Sequence, residues 1–415
     1  MRSYGGAVIL MRQAVSKAEQ AVLERLSYLA GTPETVAGMD ALPARTPFDG
    51  AVLAFLETVS QILRSGGRAY PDVMTFAFWI RRASLQSLRN RFFREDGDLR
   101  LGRGTAFHIA PSNVAANFAY SLAAGLLTGN ANVVRLPTER FPQAELICRA
   151  VHTALEDHPG LRPYIALVRY ERSRESNDLL SRLADTRLVW GGDRTIAELR
   201  KSPLAPRAGE ITFADRCSLA VIDSGWYLEK GERRKLALDF YNDTFLTDQN
   251  ACTSPRLVVW LGERREEAKA VFWEALHELV KARYAFQPVQ GIDKLTQSCL
   301  LAAERGDVRV QPRRDNLIYR VQVSSLAGGL LDQTGNSGYF LEYDCDDILE
   351  LRELCNDPRC QTVAYIGEKK MFMPLLNTGI KGIDRVVPVG KTMDFDLIWD
   401  GYNLYERLTR IISLK

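Results

Sequence analysis

Residues 105–137 read "TAFHIAPSNVAANFAYSLAAGLLTGNANVVRLP", and the stretch 105–134 contains no Asp, Glu, Lys or Arg. By length alone such a stretch can cross a bilayer. Its proline, four asparagines and histidine argue against lipid. What remains is a unit walled in by protein: "TAFHIAP" as a buried strand, "NFAYSLAAGLLTG" as a small-residue helix and "NANVVRLP" as a second strand. Two parallel strands joined by a helix end on the same carboxyl edge, where ligands of such sheets bind.

Outward from that unit the alternation continues. "FPQAELICRAVHTALED" predicts a helix, "IALVRY" a strand, "SNDLLSRLADT" a helix, "RLVWGG" a strand and turn, and "DRTIAELRKS" a helix, which is the order of a parallel, doubly wound sheet. Before it, residues 12–35, 47–66 and 71–93 have apolar spacing near 3.6 and predict a helical front. Between the two, "FFREDGDLRLGRG" (92–104) carries an Asp-Gly turn signal, so a hairpin is expected over 91–104. After "SPLAPRAGEITFADRCSLAVIDSG" a second α/β segment begins, with a further strand inside that break, "GERRKLALDFYNDTFLT" as helix, "PRLVVWLG" as strand and "REEAKAVFWEALHELVKARYAF" as a long helix. The expected division is a first domain over 1–217, a second over 218–385 and a C-terminal return over 386–415. The fold class is therefore α/β.

The 415 residues are 46% hydrophobic and 25% charged, an ordinary globular composition, and a formal charge of +3 lacks the basic bias of a nucleic-acid binder. "MRSYGGAVILMRQAVSKAEQ" at the start has too short an apolar run for an export signal, and no membrane span is expected. Seven cysteines without a CxxC pair and four scattered histidines argue against a disulfide framework or a metal site, and suit a reducing cytoplasm.

One cysteine stands apart. "DQNACTSP" (248–255) is a polar connection between a helix and a strand, and such connections display functional groups, so Cys252 is either packing or a nucleophile. On the carboxyl edge of the first sheet, Pro111, Ser112 and Asn113 follow one strand, and Arg135 and Pro137 end the next. Asn113 either caps the following helix or meets a ligand. Gly191 and Gly192 in "LVWGGDRT" let backbone approach a phosphate, although no GxGxxG is present and Asp193 can serve as a plain helix cap.

The order "PSN", small-residue helix, "GNANVVRLP", "WGG" and "DQNACTSP" resembles the aldehyde dehydrogenase superfamily. More closely, "FYNDTFLTDQNACTSPRLVVW" (240–260) and "RVVPVGKTMDFDLIWDGYNLYERL" (385–408) resemble the acyl-CoA reductase branch typified by the fatty-acid reductase of bacterial luminescence. The resemblance runs from about residue 90 onward and implies an aldehyde-dehydrogenase-like fold: a Rossmann-like cofactor domain, a smaller catalytic domain, and a hairpin that builds a homo-oligomer. It also implies that Cys252 is the nucleophile, that the Asn113 amide helps hold the oxyanion, and that Pro111, Ser112, Arg135, Pro137, Gly191 and Gly192 face a nicotinamide cofactor. Arg135 stands where the superfamily more often has lysine, and favours NADPH weakly over NADH. Aldehyde-oxidising members carry a glutamate before a strand as general base; the matching stretch here, "TFADRCSLAVI", places Phe213 there.

Without that base, a thioester on the enzyme waits for hydride instead of water. The implied activity is NAD(P)H-dependent reduction of an acyl-CoA, or of an acyl-protein thioester delivered by a ligase partner, to the aldehyde. Two other readings stay open: an aldehyde-oxidising dehydrogenase, and a non-catalytic scaffold of the same fold.

Overall fold

The structure, a computed structural model, describes residues 15–93, 98–111, 113–312, 314–333 and 335–414. The chain forms two compact units: one runs to Ala214 and takes in the segment from Tyr402, and the other is Asp215–Gly401.

The first unit opens with α1 (Lys17–Glu24), β1 (Ser27–Ala30), α2 (Pro33–Gly38), α3 (Gly50–Gly66), α4 (Pro71–Trp79) and α5 (Arg82–Phe92). Strand β2 (Leu99–Gly102) follows, then β3 (Thr105–Ile109), α6 (Asn117–Leu127), β4 (Ala131–Arg135), α7 (Pro142–Asp157), β5 (Ile165–Arg169), α8 (Arg174–Leu183), β6 (Thr186–Trp190), α9 (Asp193–Leu199) and β7 (Gly209–Phe213). The sheet order is β1-β5-β4-β3-β6-β7, with β3 to β7 parallel and β1 antiparallel on the edge. Strands β3, β5 and β6 are buried at every position, as a sheet covered by helices on both faces requires. The chain steps from β3 outward to β4 and β5, then returns beside β3 with β6, so the switch point lies between β3 and β6.

Several buried polar residues of the charge-free stretch are held by hydrogen bonds. His108 bonds Ser121 Oγ (2.7 Å) and Asn132 Oδ1 (2.9 Å), and Trp190 Nε1 donates to the same Ser121 (3.0 Å). Asn130 Oδ1 accepts from the amides of Arg103 and Gly104 while its own amide donates to Leu408 O (3.0 Å). Helix α6 lies so close that a Cβ on Gly125 would fall 1.8 Å from Asn132 Oδ1. Among the described residues no helix is long and apolar enough to cross a membrane.

Several expectations change. The helix expected over 12–35 is broken by β1, whose partner β5 lies far away in sequence. The helix expected over 71–93 is two, α4 and α5. Among the described residues the expected hairpin at 91–104 shows no first arm: Phe92 is still helical, and β2 pairs antiparallel with the C-terminal strand Thr409–Ile412. Residues 94–97 of its turn lie outside the described residues. The single strand expected between Ser202 and Gly225 is two, β7 in the first unit and β8 (Cys217–Asp223) in the second.

The second unit continues with α10 (Ser224–Lys230), α11 (Arg233–Thr244), β9 (Pro255–Leu261), α12 (Arg265–Arg283), α13 (Pro288–Glu304), β10 (Val308–Val310), β11 (Tyr319–Val323), β12 (Tyr339–Cys345), β13 (Cys360–Ile366) and β14 (Arg385–Pro388). Its sheet order is β10-β11-β12-β9-β8-β13-β14, parallel from β11 to β14. One face packs on Phe240, Phe272 and Trp273, the other on Leu351, Phe372 and Leu375.

Candidate active site

In the first unit the parallel strands carry Pro111, Arg135, Pro137, Gly191 and Gly192 to one carboxyl edge, with Pro111 and Gly191 on the two strands that flank the switch point. Ser112 lies outside the described residues. Asn113 is exposed and stands ahead of α6, whose N-cap position is Ala116. Gly191 donates its N–H to Phe213 O (3.1 Å), and a Cβ there would press on Thr195 at 3.2 Å. The Arg135 guanidinium lies 4.7 Å over the Tyr170 ring and leaves its buried Nε without a partner. The Pro137 carbonyl is taken by Arg169 Nε (2.8 Å), a structural use. Phe213 is buried and stacks on Trp190 with centroids 3.6 Å apart.

Cys252 belongs to the second unit. After α11 the chain makes a short turn and then places Asp248 (φ 54°) and Gln249 (φ 55°) in succession in the left-handed region. Such residues persist only where their surroundings hold them. Asp248 accepts hydrogen bonds from Tyr284, Ser337 (3.0 Å) and Gln290 (3.3 Å). Gln249, fully buried, accepts from the amides of Gly338 (2.6 Å) and Tyr339 (3.1 Å) and donates to the carbonyls of Pro255 (3.1 Å) and Tyr339 (3.3 Å). Ser218 Oγ donates to Cys252 O (2.7 Å), and Thr253 Oγ1 donates to Met393 Sδ (3.1 Å). The polar residues of "DQNACTSP" thus build the turn, and the cysteine is what the turn presents.

The segment behind Met393 is clamped from two sides. Asp243, almost completely buried, accepts from Gly390 N (2.6 Å) and Thr392 N (3.2 Å), and burial pushes its carboxyl up to about 7. Arg385 donates to the carbonyls of Thr392 (3.1 Å) and Asp394 (3.1 Å).

Cys252 as a residue is partly exposed, but protein surrounds its thiol. Burial, then the charge of Asp400, push the thiol up to about 12, against the pull of Arg256 and Arg385. A cationic neighbour alone would raise the thiolate fraction. Here desolvation and the aspartate outweigh two arginines, so the resting sulfur is a thiol. Sequence reasoning missed Ser218, Gln361, Arg385 and Asp400; the one local signal was the Asp-Gly pair at 400–401.

A family model described as acyl-CoA reductase (LuxC) matches residues 39–304. The chain belongs to that family. Among curated members of similar sequence, this LuxC-family chain is 22% identical over 321 residues to a long-chain acyl-protein thioester reductase of Photorhabdus luminescens, covering 75% of this chain and 64% of the relative. It is 26% identical over 179 residues to the protein of that name from Vibrio harveyi, covering 42% and 36%. The family chain thus spans less than two thirds of the length of these relatives. Among solved structures it superposes on a 1-pyrroline-5-carboxylate dehydrogenase mutant of Thermus thermophilus with TM-score 0.64 at 12% identity, covering 95% and 85% of the two chains. Aldehyde dehydrogenase 21 of Physcomitrella patens, in complex with the reaction product succinate, gives TM-score 0.65 at 12% identity over 92% and 89%. The fold is that of the aldehyde dehydrogenases.

Proposed function

We propose that this chain reduces a long-chain acyl thioester to the aldehyde through a thioester on Cys252. The observation that carries the proposal is the cysteine turn: two strained residues, bonded to distant parts of the second unit, serve to hold one thiol in place. Family membership and the curated relatives' names support the reaction class. Phe213, packed on Trp190, supplies no carboxylate for activating water, which favours reduction over aldehyde oxidation.

The carboxyl edge of the first unit fits a dinucleotide. An orphaned buried donor on Arg135 and a glycine turn that a Cβ would crowd suit a phosphate-bearing ligand at that edge. A reduced nicotinamide, when bound, supplies the hydride. The Arg135 guanidinium is the chain's group for a 2′-phosphate, so NADPH is the proposed cofactor ahead of NADH.

Cys252 attacks the acyl carbonyl, the oxyanion is held by the Cys252 N–H and by Asn113, and the carbon–sulfur bond to the donor thiol breaks. The donor is coenzyme A or an acylated ligase partner. After reduction, collapse of the thiohemiacetal frees the aldehyde and returns the Cys252 sulfur. The β2 ribbon with Thr409–Ile412 exposes Leu99 and Ile411 and is short for independent stability, which favours a homo-oligomer formed through it. Seven unpaired cysteines favour the cytoplasm.

The test is turnover of tetradecanoyl-CoA with NADPH and product identification by mass spectrometry. Tetradecanal in one-to-one ratio with NADPH consumed is expected. Acid formed from tetradecanal and NAD⁺ without coenzyme A, and no reduction, would overturn the assignment.

A further inference from the structure

The Cys252 thiol must give up a proton when it attacks, and the charge of a buried carboxyl tied to the second sheet, Asp400, acts on it. Strands β9, β8, β13 and β14 are neighbours and parallel, so their first residues share one edge. Cys252 lies just before β9, and its carbonyl is bonded to Ser218 near the start of β8. On the next strand Cys360 pairs with Cys217 and Val363 with Leu219, so the irregular step at Gln361 and Thr362 faces Ser218. Gln361 donates its side-chain amide to Asp400 Oδ1. The anchors of Cys252 and Asp400 are therefore one interstrand step apart, about 4.8 Å. Arg385 opens the following strand and lies 4.1 Å over the ring of Trp399, the residue before Asp400.

Asp400 is only 7% exposed and sits in the left-handed region at φ 48°. Gly401 after it is also left-handed, and a Cβ there would fall 2.6 Å from Asp384 Oδ1. An aspartate held in strained backbone, out of water and on the nucleophile's edge is the kind of outlier that marks a working group.

We propose that Asp400 is the proton acceptor that activates Cys252, an assignment that rests on the reading of Cys252 as nucleophile. As Cys252 Sγ bonds to the acyl carbon, its proton passes to the Asp400 carboxylate. As the carbon–sulfur bond to the donor breaks, the departing thiolate takes that proton, and the carboxylate is restored. No external acid, base or redox partner is consumed in this half-reaction.

The charged groups around the pair are Arg256, Arg385, Asp384 and Arg216. Burial, then Asp384, push the Asp400 carboxyl up to about 7, opposed by Gln361, Arg385 and Arg216. An acceptor titrating near the working pH is matched to general-base catalysis.

Two rates separate this role from a structural one: alkylation of Cys252 by iodoacetamide, and release of coenzyme A from tetradecanoyl-CoA in a single turnover without nicotinamide. Removing the aspartate charge by Asp400→Asn lowers the thiol's proton affinity, so alkylation at fixed pH rises by about threefold or more. Coenzyme A release falls by about 10²-fold or more, because the base is gone. The two rates moving in opposite directions supports the assignment; both falling together, or release unchanged, overturns it. If Asp400→Asn does not fold, Gln361→Met removes the donor that holds the carboxyl down, and the acid limb of coenzyme A release moves to higher pH. An unmoved limb overturns the assignment. A wild type that releases no coenzyme A, or a Cys252→Ala variant that releases as much, refutes the nucleophile reading itself and the acceptor role with it.

Discussion

Gln249→Ala removes the side chain that ties the cysteine turn to β9 and to the segment before β12, and the structure sets the size of the loss. Gly338 N–H, bonded at 2.6 Å, loses its acceptor inside the protein, whereas Tyr339 N–H keeps the Asn336 carbonyl at 3.1 Å. The carbonyls of Pro255 and Tyr339 each lose a donor. One orphaned buried N–H and two under-satisfied carbonyls together cost about 3–5 kcal/mol. The left-handed Gln249 backbone gives no relief, since alanine tolerates φ 55° no better than glutamine. In a unit of this size that loss lowers the melting temperature by about 6–20 °C, read by calorimetry on the full chain. The same variant is expected to lose acylation at Cys252 even below its melting point, because the turn that presents the thiol is no longer fixed. A stability loss under about 1 kcal/mol, with acylation intact, would refute the claim that Gln249 holds the turn.

Four further outcomes are expected. His108 is buried neutral, pushed down to about 4 by desolvation, so stability is full above about 6.5 and is lost as pH falls toward 4, by about 3 kcal/mol in all; thermal unfolding of wild type and His108→Gln at several pH values reads this, and equal slopes would contradict it. Arg135→Ala should raise the KM for NADPH by about tenfold or more and that for NADH much less, since one charged hydrogen-bond partner of a phosphate is lost; equal effects would remove Arg135 from the 2′-phosphate role. Asn113→Ala should lower kcat by about 10²–10³ with cofactor affinity unchanged, the loss typical of one oxyanion donor. Ile411→Asp, on the exposed side of the two-stranded ribbon, should convert an oligomer to monomer in sedimentation; a wild type already monomeric at micromolar concentration contradicts the proposed interface.

The sequence showed most clearly what is local. The strand, helix and strand of 105–137 were legible because burial on every side leaves a run without charge, and the structure bonds the histidine and two of the asparagines, Asn130 and Asn132, inside the protein. The cysteine turn was legible as a polar connection between two apolar segments. Long-range partners were not: "SYLA" at 27–30 becomes a strand only because Ser27 and Tyr28 find Arg169 and Val168, and nothing in the window 12–35 signals it. Asp248 and Gln249 read as ordinary turn residues, yet their conformation is held by residues 337–339, some ninety positions on. Asp400 likewise carried only a turn signal, while its hydrogen bond from Gln361 and its place beside the strand edge of Cys252 depend on chain partners far away in sequence. The break between β7 and β8 is similar, since "ITF" and "SLAVI" are both short apolar runs and only their pairing assigns them to different units.

The most direct test of the account is the mass of the peptide that contains Cys252 after the chain meets tetradecanoyl-CoA without nicotinamide and is quenched in acid. A tetradecanoyl group on Cys252, released by neutral hydroxylamine and absent from Cys252→Ala, is the predicted result. An unmodified Cys252, or an acyl group carried by a different cysteine, would contradict it.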